Sequence, residues 1–467
     1  MTESEDDLNE KCRKVLEKLK SSRTMRFGEQ SDILSEFRVL TREKTLKPEI
    51  LDAQCLNLLV DLASKGQTEA QKSLSNLILN YANIREQLVD PYVKCVKTRL
   101  SNVLQDDTAK GLIDGQNLTK EQLHETLYYD LRIIFLLSAL CSTTRQSIRD
   151  QLLNLIFQLT LREANSPSPE KYSLIIECLK TLFNLTIDNC TDKQSAKQVV
   201  KRLFAIVESS NNTITSEVIK QPEQNDQLLV NLINLLTNMP EDVYKELSDD
   251  DADKVLRHLD EQLKTLPKQS LRDTVLPLLN VCANICNYKD NIRKRWFDEV
   301  IGSTKEYDKR PEEYDTLKGR LIKLMTSVDV HLKDIAAEFL MALCGRDTDK
   351  FITYTGFGNS AAYLSTRGLL GHDIRKSQES HGENDSEYQE LREKLDPITG
   401  KLETTKINPM EGMSEEQKEY HAHELANAIT KLSNLGVVKP VATDSEGHIV
   451  ELNPSVEKKD KLDSLSQ

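Results

Sequence analysis

Aromatic residues make up only 5% of this 467-residue chain, tryptophan occurs once (Trp296), and 16 glycines and 13 prolines are few for the length. So few turn-formers argue against a loop-rich or many-stranded architecture and point to long helices on short connections. No apolar run approaches the roughly 18 residues that would suggest a membrane span. The opening MTESEDDLNE lacks the apolar stretch of a signal peptide, so the protein is expected in the cytosol. An excess of cations is missing as well. The formal net charge of -13 and pI near 5.3 exclude a general nucleic-acid binder, whose affinity comes largely from neutralising phosphates with Lys and Arg. Acidity of this kind favours basic protein partners.

Recognisable chemistry is also absent. Nine cysteines are spread along helical stretches. Cys282 and Cys286 share a helix face, but no second pair or histidine completes a zinc site, so buried free thiols are expected. No G-x-x-x-x-G-K-[ST] loop occurs. The one candidate glycine loop, Gly356-Phe357-Gly358 in FITYTGFGNSAAYLSTRGLL, has alanine at 361, where a dinucleotide loop needs its third glycine. It also follows a helix rather than a buried strand, which makes it a bend between helices. DTDK (347 to 350) lacks the other positions of a calcium loop, and His421 and His423 point to different faces of a helix. Ser, Cys and His are scattered without a nucleophile signature. Neither enzymatic activity nor a cofactor or metal is expected.

What is present is helical periodicity. In RLIKLMTSVDVHLKDIAAEFLMALC one apolar stripe is Leu321, Leu324, Met325 and Val328, and a second is Leu332, Ile335, Ala336, Phe339, Leu340 and Leu343. Such spacing marks two amphipathic helices back to back, with a corner near Val328-Asp329. Sustained alternation of period two is almost nowhere, so the ordered part is all-α. The helices recur. SLSNLILN, FLLSALCS, TLFNLTID, NLLTNMPE, NVCANICN and EFLMALCG align on Asn76, Ser138, Asn184, Asn238, Asn284 and Ala342, at intervals of 62, 46, 54, 46 and 58 residues. Armadillo and HEAT repeats run about 40 to 47 residues, so these are repeats stretched by inserted loops. Units that cannot bury their stripes alone must stack into a solenoid with a long binding surface. An asparagine recurring on the innermost helix suits a peptide groove, since it offers both donors and an acceptor. It equally suits a tie between adjacent repeats.

Composition changes after Leu370. From 371 to 467 there are 12 Lys plus Arg against 20 Asp plus Glu, and the stripes stop. The boundaries read as a solenoid over 1–370, an acidic linker over 371–413, an amphipathic helix over 414–436 and a flexible tail over 437–467. In SEEQKEYHAHELANAITKLSNLG, Ser414 and Gln417 form a capping box and Gly436 closes the helix. Its stripe of Leu425, Ala428, Ile429, Leu432 and Leu435 needs a surface to dock on. Among basic residues, Arg320 and Lys323 lie one turn apart, opposite the Leu321/Leu324 stripe, and Arg132 opens the helix DLRIIFLLSAL. On a groove they would meet a carboxylate or an acidic helix; otherwise they are solvated.

Several stretches resemble the synembryn (resistance-to-inhibitors-of-cholinesterase) family: LMTSVDVHLKDIAAEFLMALC, FITYTGFGNSAAYLSTRGLL, DPITGKLE and NPMEGMSEEQKEYHAHEL. YDLRIIFLLSAL, CLKTLFNLTIDN and VLPLLNVCANIC follow the same order, so the likeness runs from about residue 70 to 450. The resemblance implies an armadillo/HEAT superhelix that acts as a chaperone and guanine nucleotide exchange factor for heterotrimeric G-protein α subunits. The nucleotide would belong to the partner, whose C-terminal helix would lie in a concave groove. Groove candidates are Asn76, Arg132, Asn184, Asn238, Arg320 and Lys323. The segment around Met410 and Met413, with Leu425, Ile429 and Leu432 of the tail helix, would reach the partner's nucleotide-binding domain. A phosphorylated acidic stretch is implied before that helix, with Ser380 and Ser386 as its candidates, although the acidic run is shorter here. The implied partner is a GDP-bound or nucleotide-free α subunit, bound by a monomer in the cytoplasm and brought by it to the cell cortex or plasma membrane. The rival reading is an armadillo cargo or scaffold adaptor, but the Trp-Asn pairs of importin-like proteins are missing.

Overall fold

The computed structural model describes residues 5–21, 27–42, 46, 50–105, 111–113, 116–212, 222–267, 270–301, 309–369, 412–434, 441–443 and 449–451. Ser380, Ser386 and Met410 lie outside them. The chain divides into two compact units, Met1–Leu402 and Glu403–Gln467.

The first unit is a solenoid of helix pairs: α1 (Glu5–Ser21) with α2 (Phe27–Leu40), α3 (Ala53–Ser64) with α4 (Thr68–Asn80), α5 (Arg85–Gln105) with α6 (Lys120–Leu140), α7 (Arg145–Asn165) with α8 (Pro169–Thr186), and α9 (Lys193–Asn212) with α10 (Pro222–Leu236). After the short α11 (Glu241–Glu246) come α12 (Asp249–Thr265) with α13 (Leu271–Tyr288), α14 (Asp290–Trp296), α15 (Leu317–Met325) with α16 (Val330–Leu343), and α17 (Thr348–Thr355) with α18 (Phe357–Thr366). Second helices stack on second helices, in the order α2, α4, α6, α8, α10, α13, α16, while α3, α5, α7 and α9 form the parallel first rank. One apolar core runs the length of the stack, from Cys12 to Leu364.

Local chemistry sets the ends of the helices. Thr119 with Gln122 and Ser248 with Asp251 form capping boxes at α6 and α12, satisfying amides with no partner in the first turn. Asp52, Asp329 and Asp347 accept backbone N–H groups at α3, α16 and α17. Arg85 donates from Nε to Ile78 O (2.8 Å) and Arg145 to Ser138 O (3.0 Å), closing the C-terminal ends of α4 and α6 from the following helix. The expected corner between α15 and α16 exists. Val328, assigned above to the stripe of the first helix, is instead fully exposed there, because α15 stops at Met325. The Gly356 segment is the bend between α17 and α18: Gly356 has φ +81° and ψ 141° and both ends one helix and begins the next, a backbone that strongly favours glycine. Asn359 pins the bend by donating to Thr355 O (2.8 Å) and Glu312 Oε2 (3.0 Å).

The nine cysteines are thiols rather than disulfides, and all but Cys95 are buried. Burial pushes the thiols of Cys12, Cys55, Cys178 and Cys344 up to about 12. Two short hairpins accompany the helices. β1 (Gly111–Ile113) pairs with β2 (Gln116–Leu118) between α5 and α6. In the second unit β3 (Val441–Thr443) pairs with β4 (Ile449–Glu451) within the tail. That unit also holds α19 (Glu415–Asn434), whose capping box is present: Gln417 N donates to Ser414 Oγ (3.2 Å) and Ser414 N to Gln417 Oε1 (3.1 Å).

Candidate partner-binding surface

Two second helices carry the same nine-residue pattern. EAQKSLSNL (69 to 77) in α4 and ECLKTLFNL (177 to 185) in α8 both read E-x-x-K-[ST]-L-x-N-L, and the structure shows what each position does. Glu69 pairs with Lys72 one turn on (2.8 Å) and with Arg38 of α2 (2.6 Å). Glu177 pairs with Lys180 (2.8 Å) and with Arg132 of α6 (3.6 Å). Lys72 also reaches Glu125 of α6 (2.9 Å) and lies 5.2 Å from the Tyr129 ring centre, while the Arg132 guanidinium lies 5.6 Å from that of Phe135. Partial burial works against the charge on Lys72, but its bonds to Glu69 and Glu125 outweigh it and hold the ammonium above its ordinary pKa. Charges of alternating sign thus link α2, α4, α6 and α8.

The asparagines of the pattern, and Asn238 beyond it, tie the repeats together. Asn76 Nδ2 donates to Arg38 O (3.3 Å) and Thr41 Oγ1 (3.2 Å), Asn184 to Phe135 O (3.1 Å) and Ser138 Oγ (3.2 Å), and Asn238 to Phe183 O (2.8 Å) and Thr186 Oγ1 (3.4 Å). In every case the hydroxyl itself donates to that same carbonyl, three residues back. A Ser or Thr near the end of one second helix and an Asn in the next therefore form one repeated joint. Of the two roles open to these residues, the tie takes the amide donors, and Asn184 is only 5% exposed. Asn76 and Asn238 are half-buried, and the side-chain oxygen of Asn238 also accepts from Thr237 Oγ1 (3.5 Å).

Arg132 and Asn184 meet around Phe135, where α6 packs on α8. Arg320 and Lys323 are elsewhere, on α15. Arg320 is 15% exposed and already paired with Asp260 of α12 (2.5 Å) and Asp315 (2.7 Å), whereas Lys323 is exposed. In the second unit Leu425, Ile429 and Leu432 are 63%, 48% and 39% exposed, and Met413 is half-buried. Sequence reasoning missed Arg38, Glu69, Lys72, Glu125, Glu177 and Lys180; the repeated E-x-x-K-[ST]-L-x-N-L pattern was the signal for four of them. Among the described residues no group of three His, Cys, Asp or Glu side chains could hold a metal, and no helix is long and apolar enough to cross a membrane.

The family model described as guanine nucleotide exchange factor synembryn matches residues 33–448. Relatives named Chaperone Ric-8A are similar along most of the chain. The Xenopus tropicalis protein is 29% identical over 432 residues, covering 84% of this chain and 76% of its own. The Mus musculus protein is 29% identical over 495, covering 97% and 90%. The Pongo abelii protein is 30% identical over 364, covering 71% and 67%.

Proposed function

Because the chain belongs to the synembryn family of guanine nucleotide exchange factors, we propose that it is an exchange factor and folding chaperone for heterotrimeric G-protein α subunits and performs no bond chemistry itself. The observation that carries the reading is the repeated joint. Asn76, Asn184 and Asn238, with their hydroxyl partners, lock consecutive second helices into a pre-formed surface crossed by ordered charge. A rigid, pre-organised surface wastes little free energy on its own ordering when it binds.

The C-terminal helix of the α subunit is the proposed ligand of a groove contacted by Asn76, Arg132, Asn184, Asn238, Arg320 and Lys323. Of these, Lys323 would contribute most, because the donors of the asparagines and the charges of Arg320 and Arg132 already have partners. Met410, Met413 and the exposed Leu425, Ile429 and Leu432 would grip a second part of the partner, as an unpaired apolar helix face requires. Ser380 and Ser386 stay phosphorylation candidates on sequence grounds alone. The protein would act as a cytoplasmic monomer drawn to the cell cortex by its partner.

Exchange then follows from linkage. Whatever factor the scaffold removes from nucleotide affinity, nucleotide removes from scaffold affinity. A thousandfold effect is about 4 kcal/mol, within reach of one helix buried in a groove. GDP leaves, the empty subunit is held, and GTP ejects the scaffold. The same grip stabilises a nascent or empty subunit by mass action. Pull-down with nucleotide-free and GTP-loaded α subunit tests the reading: retention of the first and loss of the second supports it, and equal retention of both supports an adaptor instead.

A further inference from the structure

Among the described residues three Arg or Lys side chains are buried: Arg99, Arg149 and Lys318. Arg99 is paired with Asp130, and Arg149 has Asp150 and Asp188 each at 3.9 Å. Lys318 is only 6% exposed, and among the described residues no carboxylate lies within 4.0 Å of it. Its ammonium lies 5.3 Å from the ring centre of Tyr354, on α17. That ring stands edge-to-face with Phe297, centres 5.3 Å apart, and Lys350 lies 5.8 Å from the Phe297 ring centre, again with no ion pair. Two cations thus bracket one aromatic pair, and neither has an ion-pair partner among the described residues. Lys350 is exposed, and the Lys318 Nζ is not sealed among the occluded polar atoms.

A cation–π contact softens the cost of a desolvated ammonium without neutralising it, and a buried charge without a partner is a liability that folds normally remove. Cys344 gives no relief, because its own burial keeps the thiol protonated. Burial in turn pushes the Lys318 amine down to about 8. What the site lacks is negative charge, and this identifies its ligand.

We propose that Lys318 and Lys350, held on the Phe297–Tyr354 pair, form a seat for carboxylate side chains of the bound partner, an aspartate- or glutamate-bearing segment of the α subunit. The seat rests on the exchange-factor reading and adds a contact on the helix that carries Arg320 and Lys323. Lysines suit it because they act as compact point charges on flexible stems, able to turn from a ring to an incoming carboxylate. The approach of that carboxylate favours the protonated amine of Lys318 and offsets the cost of burying it, so the site is worth more when occupied than when empty.

The test uses Lys318→Met and Lys350→Met in the full chain, with affinity for nucleotide-free α subunit measured across a salt series beside a thermal melt. Lys318→Met is expected to melt several degrees higher, because the unpaired amine is gone, and to bind the α subunit about tenfold more weakly with a shallower salt dependence. Lys350→Met should weaken binding without raising the melting temperature. Unchanged affinity and salt slope in both variants, beside normal binding by the parent protein, would overturn the seat alone. Failure of the parent protein to bind nucleotide-free α subunit would overturn the exchange-factor reading and the seat with it.

Discussion

Removing the carboxylate of Asp130 should undo the N-terminal repeats while leaving the C-terminal ones intact. Asp130 is fully buried in α6 and accepts hydrogen bonds from Gln71 Nε2 (2.7 Å) of α4, Tyr92 Oη (2.8 Å) of α5 and the Arg99 guanidinium. Arg99 also donates to Ala63 O (2.8 Å) and Ser64 O (2.9 Å) at the end of α3. Four helices of two successive pairs therefore meet at one carboxylate. In Asp130→Ala the guanidinium is left buried and unpaired, at a cost of about 3–5 kcal/mol, and the Tyr92 hydroxyl and Gln71 amide lose an acceptor as well. Because a solenoid's stability is nearly a sum of neighbour terms, the loss should stay local. Hydrogen exchange followed by mass spectrometry should show α3 to α6 losing protection by roughly two to four orders of magnitude, with α13 and α16 unchanged. Arg99→Met combined with Asp130→Leu should recover most of the loss, since an apolar pair of similar volume has no charge to desolvate. Loss of protection spread evenly along the chain, or an Asp130→Ala cost below about 1 kcal/mol, would refute the reasoning.

Asn184→Ala removes two bonds from the joint between α6 and α8 and should cost about 1–3 kcal/mol, read as a lower urea midpoint. Gly356→Ala forces a side chain onto φ +81° and should cost about 1–3 kcal/mol; binding of a nucleotide to this chain should be nil before and after, as equilibrium dialysis would show. The third concerns pH. The Lys318 amine titrates near 8 when folded against an ordinary 10.5, so folding penalises its charged form. The penalty is fully present below pH 8, fades as pH rises to 10.5, and amounts to about 3 kcal/mol at most. Melting temperature measured from pH 7.5 to 10 should therefore fall less steeply in the parent than in Lys318→Met; Lys350 and Cys344, which face the same group, are common to both.

Periodicity carried the fold because stripe spacing depends only on which residues avoid water. That is why the helix pairs around the 326–330 corner, the α19 capping box, the buried thiols and the Gly356 bend were all legible. The joints were half legible: spacing placed Asn76, Asn184 and Asn238 at equivalent positions, but could not say whether an amide turns to the next repeat or to a ligand. Arg320 looked available because its partner Asp260 is 60 residues away, and no local pattern connects them. Lys318 was invisible for the opposite reason, since a lysine between Leu317 and Gly319 reads as surface. The hairpin of β1 and β2 was signalled by Asp114-Gly115 between short apolar runs, a cue that the search for helical stripes passes over.

The most direct measurement is the rate at which labelled GDP leaves a purified α subunit, with and without stoichiometric amounts of this protein. The account predicts release accelerated by at least an order of magnitude, a stable complex once GDP is gone, and dissociation of that complex on adding GTP. An unchanged release rate, or guanine nucleotide retained by this chain alone, would contradict it.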